Sequence, residues 1–291
     1  MNIVIIGSES QLGLNFKKTK ISAKYNIFFL KKEQLDITNE NSIINKFNQI
    51  KPNYIINCAA YTNVNQAENN SEIANDVNNY GLKLLSKISN NFNSLLIHFS
   101  TDYVFDGLKK NKYNESDATI PLSVYGKTKL SGEKSIIHKS NNYIIIRVSW
   151  LFSEFKNNFF NFVINKLISN ENIQAVNDLY STPTSASSLT SFVFYAIENE
   201  LIYKNKNSIY HFTNMGSPIS WYQFASYIKK KYNINDFTKS KIIPINSYQL
   251  FSNQIRPKFS ALENKKLIND FNYKIDDWKL KIDALVTNNQ L

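Results

Sequence analysis

The sequence predicts an α/β fold, a doubly wound parallel sheet with a smaller, partly interleaved carboxyl-terminal lobe. Two observations predict it. Apolar strand-like runs alternate with helical stretches through the first half of the 291-residue chain, and such alternation calls for parallel strands joined by right-handed crossovers. The first run, Ile3-Val4-Ile5-Ile6, has no polar interruption and stops at Gly7. That is the mark of a strand buried on both faces and ending in a tight turn.

Strands are expected at Ile3–Ile6, Ile27–Leu30, Tyr54–Asn57, Leu95–Ser100 and Tyr143–Val148. Helical stretches fall between them at Gln11–Lys20, Ser42–Gln49, Ser71–Asn90 and Pro121–Lys139. After Trp150 the alternation weakens. An amphipathic helix is expected at Phe159–Ser169, a strand at Ile173–Val176, and a polar turn at Thr182-Pro183-Thr184-Ser185. A helix at Ser187–Asn199, a strand at Ile209–Phe212 and a helix at Ser220–Tyr232, with Ser220 in the capping position, complete the pattern. The chain then runs through short elements from Ile242, past Arg256-Pro257, with no repeat or linker. Ligands in open parallel sheets bind beyond the strands' carboxyl ends. Gly7, Cys58-Ala59-Ala60, Ser100-Thr101 and Val148-Ser149-Trp150 all fall there, so four chain segments converge on one rim.

The turn after the first strand reads Gly7-Ser8-Glu9-Ser10-Gln11-Leu12-Gly13. Strand, glycine turn and helix together form the pattern that binds a dinucleotide: the turn lets backbone approach a pyrophosphate, and helix-end N–H groups meet its charge. Ser10 stands where many such turns carry a middle glycine, adding a small side chain and a hydroxyl near the phosphates. An ordinary strand-to-helix turn has the same spacing, so the turn alone leaves both readings open.

Tyr125 and Lys129 lie four residues apart, one helical turn, on one face of the stretch after Pro121. A cation beside a phenol favours the phenolate and pulls its pKa down from about 10. A phenol so tuned gives a proton to a developing alkoxide or takes one from an alcohol. Tyr-x-x-x-Lys by itself also describes an exposed amphipathic helix; the turn at Gly7 gives it weight.

Composition narrows the classes. With 43% hydrophobic residues the chain buries a large core, and one or two domains are expected. No apolar run approaches the ~20 residues of a membrane span, and no charged-then-apolar leader precedes the first strand; a soluble, cytoplasmic protein is expected. One cysteine, Cys58, permits neither an internal disulfide nor a cysteine zinc cluster, and its apolar setting marks a small buried hydrophobe. The net charge of +11 comes from scattered lysines, the longest run being Lys229-Lys230-Lys231. No zinc finger, recognition helix or interleaved aromatic-basic pattern accompanies it, so no nucleic-acid partner is expected and small anionic substrates suit the charge. Arginine occurs only at Arg147 and Arg256, places where a planar, bidentate donor is expected.

The order and spacing of several blocks carry a resemblance. They are Asn57-Cys58-Ala59-Ala60-Tyr61-Thr62, Ser100-Thr101-Asp102-Tyr103-Val104-Phe105-Asp106-Gly107, and Tyr125-Gly126-Lys127-Thr128-Lys129-Leu130-Ser131-Gly132-Glu133. Arg147-Val148-Ser149-Trp150-Leu151-Phe152, Asn157-Asn158-Phe159, Val176-Asn177-Asp178, Thr182-Pro183-Thr184, Ile209-Tyr210-His211-Phe212 and Arg256-Pro257 continue them. Over nearly its whole length the chain resembles the extended short-chain dehydrogenase/reductases, and among them the dTDP-4-dehydrorhamnose reductase family. The resemblance implies an NAD(P)-dependent enzyme that reduces the C4 keto group of dTDP-4-dehydro-L-rhamnose. It implies that Tyr125 is the general acid, that Lys129 tunes it and holds the nicotinamide ribose, and that Thr101 hydrogen-bonds the carbonyl oxygen. Gly7, Ser10, Gln11, Leu12, Gly13, Lys31, Asp36, Ile37, Cys58, Ala59, Ala60 and Ser100 are implied in cofactor binding. Thr101, Asp102, Trp150, Asn158 and Arg256 are implied to face the nucleotide-sugar.

Cofactor choice follows from the second strand, which ends Phe28-Phe29-Leu30-Lys31-Lys32 with no acid before Glu33. An acid there takes a ribose 2′-hydroxyl; two lysines welcome a 2′-phosphate, so NADPH is expected over NADH. Asn65 stands where relatives often carry aspartate. Asn15 and Ser187 stand where some relatives bind magnesium through glutamates at a dimer contact, and neutral side chains replace carboxylates poorly, so no metal is expected. The expected organisation is an NADP-binding domain over 1–149, with returns near 171–180 and 188–214, and a substrate lobe of 150–170 and 215–291, acting as monomer or homodimer. Two alternatives stand beside it: a reductase or epimerase of another nucleotide-sugar, and a non-catalytic subunit of the same fold, such as the regulatory subunit of methionine adenosyltransferase.

Overall fold

The structure, a computed structural model, describes residues 1–232, 239–251 and 256–289. Strands β1 (Asn2–Ile6), β2 (Asn26–Leu30), β3 (Tyr54–Asn57), β4 (Leu95–Thr101) and β5 (Tyr143–Val148) join the strand Ser208–Phe212 in one six-stranded sheet. Every pairing in it is parallel, and β1 lies between β2 and β3. The chain leaves β1 toward one edge and returns through β3 toward the other, so the order reverses between them. A crevice opens at such a reversal.

Successive side chains on a strand point to opposite faces. Here both faces are apolar because both are covered. Ile3, Ile5, Ile56, Ile97 and Ile146 pack with Leu12 and Phe16 of helix α1 (Gln11–Lys18) and with Leu189, Phe192 and Val193 of the helix Ala186–Glu198. Val4, Ile6, Ile55, Leu96 and Ile145 pack with Ile43 and Phe47 of helix α2 (Glu40–Ile50) and with Leu82, Leu85 and Ile88 of the helix Gly81–Asn91. Truncating one of these isoleucines to alanine costs about 2–5 kcal/mol.

A third cluster, centred on Phe160, Phe224, Ala225, Ile228 and Trp278, joins the helices Phe159–Ile168, Trp221–Tyr232 and Trp278–Asn289. The strand Ile173–Val176 pairs with Ile242–Ile245, and Ile173 and Ala175 pack in this third cluster. The segment near 171–180, expected to return to the main sheet, therefore packs with the carboxyl-terminal residues. In the expected substrate lobe, 233–238, 252–255 and 290–291 lie outside the described residues.

The stretch expected as one helix over Ser71–Asn90 carries a wide π turn at Asp76–Tyr80. Such turns mark places where a side chain must be re-aimed. Here Asn78 bonds Tyr61 N–H and carbonyl and the Thr128 hydroxyl, tying the loop after β3 to the helix Val124–Lys139. No helix among the described residues is long and apolar enough to cross a membrane.

Candidate active site

The glycine turn is built by steric necessity. Gly7 has φ +72°, and a Cβ there would lie 2.7 Å from the Ala59 nitrogen; only glycine lets the turn lie against the end of β3. A Cβ on Gly13 would lie 2.5 Å from the Gly7 carbonyl. Ser10 caps α1, its hydroxyl accepting from Gly13 N–H at 3.1 Å. Gly13 thus packs beneath the turn and lines neither neighbouring cavity.

Two cavities flank this turn. One, of about 490 Å³, is lined by Gly7, Lys31, Lys32, Asp36 and Ile37. The other, of about 320 Å³, is lined by Gln11, Leu12, Ser100, Thr101, Asp102, Tyr125, Lys129 and Trp150. Ser10, Cys58, Ala59 and Ala60 line both, so they form one elongated groove across the reversal point. A groove with a helix N-terminus and a glycine cradle at its middle and two lysines at one end fits a phosphorylated dinucleotide. Cys58 lines it as a thiol whose pKa burial pushes up, a poor nucleophile.

At the other end lies the Tyr125 cluster. Ser123 caps the helix Val124–Lys139, its hydroxyl accepting from Gly126 N–H at 3.1 Å. Tyr125 meets Tyr103 edge-on, with ring centroids 5.7 Å apart, and its hydroxyl interacts with the Thr101 side chain. Burial pushes the phenol above its ordinary value; Thr101 opposes this, while Asp102 and Tyr103 add to it. The expected lowering by Lys129 is absent. Lys129, 2% exposed, points its ammonium at the sheet, 2.7 Å from the Phe99 carbonyl and 3.1 Å from His98 Nε2. Burial drops its pKa to about 8, against the pull of Glu133. Spacing put both residues on one face, and both line the same cavity.

Asp102 sits beneath the cavity, accepting from the hydroxyls of Ser260, Thr101 (3.2 Å) and Ser181 (3.4 Å). Burial outweighs these bonds and raises its pKa to about 6. A smaller cavity of about 80 Å³ continues from Asp102 and Trp150 to Trp221 and Ser181. Trp150 has φ +44°, and its buried indole N–H has no partner among the described residues. Ser100 bonds Glu133, which Arg147 holds through Nε (2.9 Å) and NH2 (2.7 Å). That bidentate arginine serves a buried carboxylate of its own chain.

Two residues expected to face the substrate line none of the three cavities. Asn158 is spent as a cap: it accepts from Asn161 N–H at 3.3 Å and donates to the Ser153 (2.8 Å) and Phe155 (3.1 Å) carbonyls. Arg256 donates to Tyr103 Oη (2.9 Å) and Asn65 Oδ1 (2.7 Å) and lies 3.8 Å from the Phe251 ring centre, so it braces the wall behind Tyr103. Asn15 is buried and donates to the Gln11 carbonyl, and Ser187 bonds Ser185. Sequence reasoning missed His98, Asn57, Tyr103 and Trp221. His98 and Asn57 are polar residues inside otherwise apolar strands, a signal that was open to it.

The RmlD substrate binding domain family model matches residues 1–291. The dTDP-4-dehydrorhamnose reductase of Aggregatibacter actinomycetemcomitans is 38% identical over 226 residues, covering 77% of this chain and 76% of that protein. A crystal structure of the Bacillus anthracis dTDP-4-dehydrorhamnose reductase in complex with NADP superposes with a TM-score of 0.90 at 30% identity, covering 99% of each chain. The Clostridium acetobutylicum orthologue superposes with a TM-score of 0.91 at 32% identity over the whole of both chains.

Proposed function

The chain belongs to the RmlD substrate binding domain family, and on that premise we propose that it reduces the C4 keto group of dTDP-4-dehydro-L-rhamnose with NADPH, giving dTDP-L-rhamnose. The observation that carries this reading is that Tyr125, Thr101 and Lys129 line one cavity that runs into the groove beside the glycine turn.

NADPH, when bound, supplies the hydride. Ser10, Gln11, Leu12 and the backbone around Ala59 hold its phosphates, Asp36 and Ile37 border the adenosine end, and Lys31 and Lys32 attract the 2′-phosphate. Tyr125 gives its proton to the sugar C4 oxygen as that oxygen gains charge. Burial suits it to this task, because a phenol with a raised pKa keeps its proton at neutral pH. The Thr101 hydroxyl hydrogen-bonds the same oxygen, stabilising the charge that develops there. Asp102 and the unpartnered Trp150 N–H face the nucleotide-sugar. The enzyme works in the cytoplasm, as monomer or homodimer, with residues 1–149 carrying the cofactor and the carboxyl-terminal residues closing over the sugar.

The test is NADPH oxidation with dTDP-4-dehydrorhamnose by wild type and Tyr125→Phe. Turnover by wild type and a loss of about 10²–10⁴-fold in the variant are expected, with NADPH binding retained. A wild type that binds NADPH but turns nothing over would instead mark a non-catalytic subunit.

A further inference from the structure

Three side chains line both the cavity of about 320 Å³ and the smaller one that continues from it: Asp102, Trp150 and Tyr103. The Tyr103 oxygen accepts from Arg256 Nη1 at 2.9 Å. A phenol has one proton to give, and a guanidinium has no lone pair to take it. That proton is therefore free, and no acceptor for it stands among the described residues. Arg256 is a cation without a counter-charge. Its second amine end donates to Asn65 Oδ1 at 2.7 Å, its buried Nε has no partner, and its centre lies 3.8 Å from the Phe251 ring centre. Both hydrogen-bond partners are neutral, whereas the other arginine, Arg147, is neutralised by Glu133. A lysine could not bond Tyr103 and Asn65 while lying against Phe251, which accounts for a retained arginine. A desolvated positive charge with no acid beside it favours an anion nearby. Arg256 lines no cavity itself, but Pro257 beside it lines the smaller one and Val64, next to Asn65, lines the larger. The phenol that it grips thus stands where the two cavities meet.

We propose that Tyr103, with Arg256 as its positioning residue, is the hydrogen-bond donor that holds the diphosphate of the nucleotide-sugar. The inference rests on the reductase reading and assigns the contact made by the substrate's anionic half. A cation donating to the phenol oxygen draws electron density from its O–H and strengthens the bond that it gives. Burial outweighs the pull of Arg256 and keeps the proton on the phenol, so Tyr103 acts as a neutral donor with a positive charge behind it. Trp150, whose buried indole N–H is unpartnered, adds a second donor at the same junction. Asp102 already accepts from the hydroxyls of Ser260, Thr101 and Ser181, and it faces the uncharged sugar.

The test is calorimetric titration of dTDP into the NADPH-bound full chain, for wild type, Tyr103→Phe, Arg256→Met and the double variant. Tyr103→Phe keeps the ring that meets Tyr125 edge-on and removes only the hydroxyl, so it remains informative if Arg256→Met fails to fold. Each single change is expected to weaken dTDP about tenfold. The double change is expected to cost no more than about twentyfold, where independent losses multiply to about a hundredfold. In turnover, kcat/KM of Tyr103→Phe is expected to fall about tenfold with the loss carried by KM, the pattern of a contact made alike in ground and transition states. A fall carried by kcat with dTDP affinity intact would mark Tyr103 as mere support for Tyr125 and overturn the proposal. Losses that multiply would also overturn it, because Arg256 would then act apart from Tyr103; in both cases the reductase reading stands. A wild type that binds no dTDP would overturn the proposal and the reading together.

Discussion

Replacing Asp102 by asparagine is expected to stabilise the protein at neutral pH while weakening its activity. Asp102 is buried, and its pKa rises from the ordinary 3.8 to about 6. The folded state therefore binds more protons than the unfolded chain between those two values, so stability falls as pH rises through that window. Below about 4 the penalty is absent; above about 6 it is fully present. Two units at about 1.4 kcal/mol each give about 3 kcal/mol, or roughly 6 °C in Tm for a chain of this size. Thr101 and Ser260 donate to different oxygens of Asp102; asparagine keeps an acceptor for one of them, offers its amide N–H to the other hydroxyl's oxygen, and has no charge to desolvate. The assay is urea unfolding of wild type and Asp102→Asn from pH 4 to pH 8, with the difference between them isolating this one group. A difference that grows in favour of the variant by about 3 kcal/mol across the window is expected, together with a lower kcat/KM. A difference flat with pH would refute the reasoning, because it would mean that the carboxylate titrates alike in folded and unfolded chains.

Substituting both Lys31 and Lys32 by alanine removes two cations from the groove's outer end; kcat/KM with NADPH is expected to drop about tenfold, roughly 1.4 kcal/mol, with little change for NADH. Equal losses with both cofactors would count against a 2′-phosphate site there. Gly7→Ala forces a side chain into a left-handed turn against Ala59; a loss of roughly 1–3 kcal/mol by thermal unfolding, with weakened NADPH binding by fluorescence titration, is expected. Arg147→Met leaves Glu133 buried without its bidentate partner; urea unfolding is expected to show a loss of about 3–5 kcal/mol, most of it recovered when Glu133→Leu is added.

Much of the fold was legible because burial on both sheet faces demands apolar runs whatever else the chain does. Tyr54–Asn57, Tyr143–Val148 and Ile173–Val176 were read to the residue, and some helix boundaries moved to where a cap decides them, as Ser123 does for Val124–Lys139. The site's membership was legible in a second way: Gly7, Ala59, Thr101, Tyr125 and Trp150 each follow a strand end or open a helix, and a parallel sheet gathers such positions at one rim. Asn158 caps the next helix, and an asparagine beside the site and an asparagine capping a helix look the same in sequence.

The sequence by itself determined the alternation of strands and helices, the glycine turn, and the residue types brought to the sheet's carboxyl edge. Local periodicity and backbone sterics act over a few residues, and a sequence displays them directly. Only the tertiary structure decided how those groups ionise and where they point. Asp102 takes its environment from Ser181 and Ser260, Lys129 turns to the Phe99 carbonyl and His98, and Arg256 reaches Tyr103 and Asn65. These partners are distant along the chain, and desolvation depends on everything packed around a group, so no spacing rule contains them.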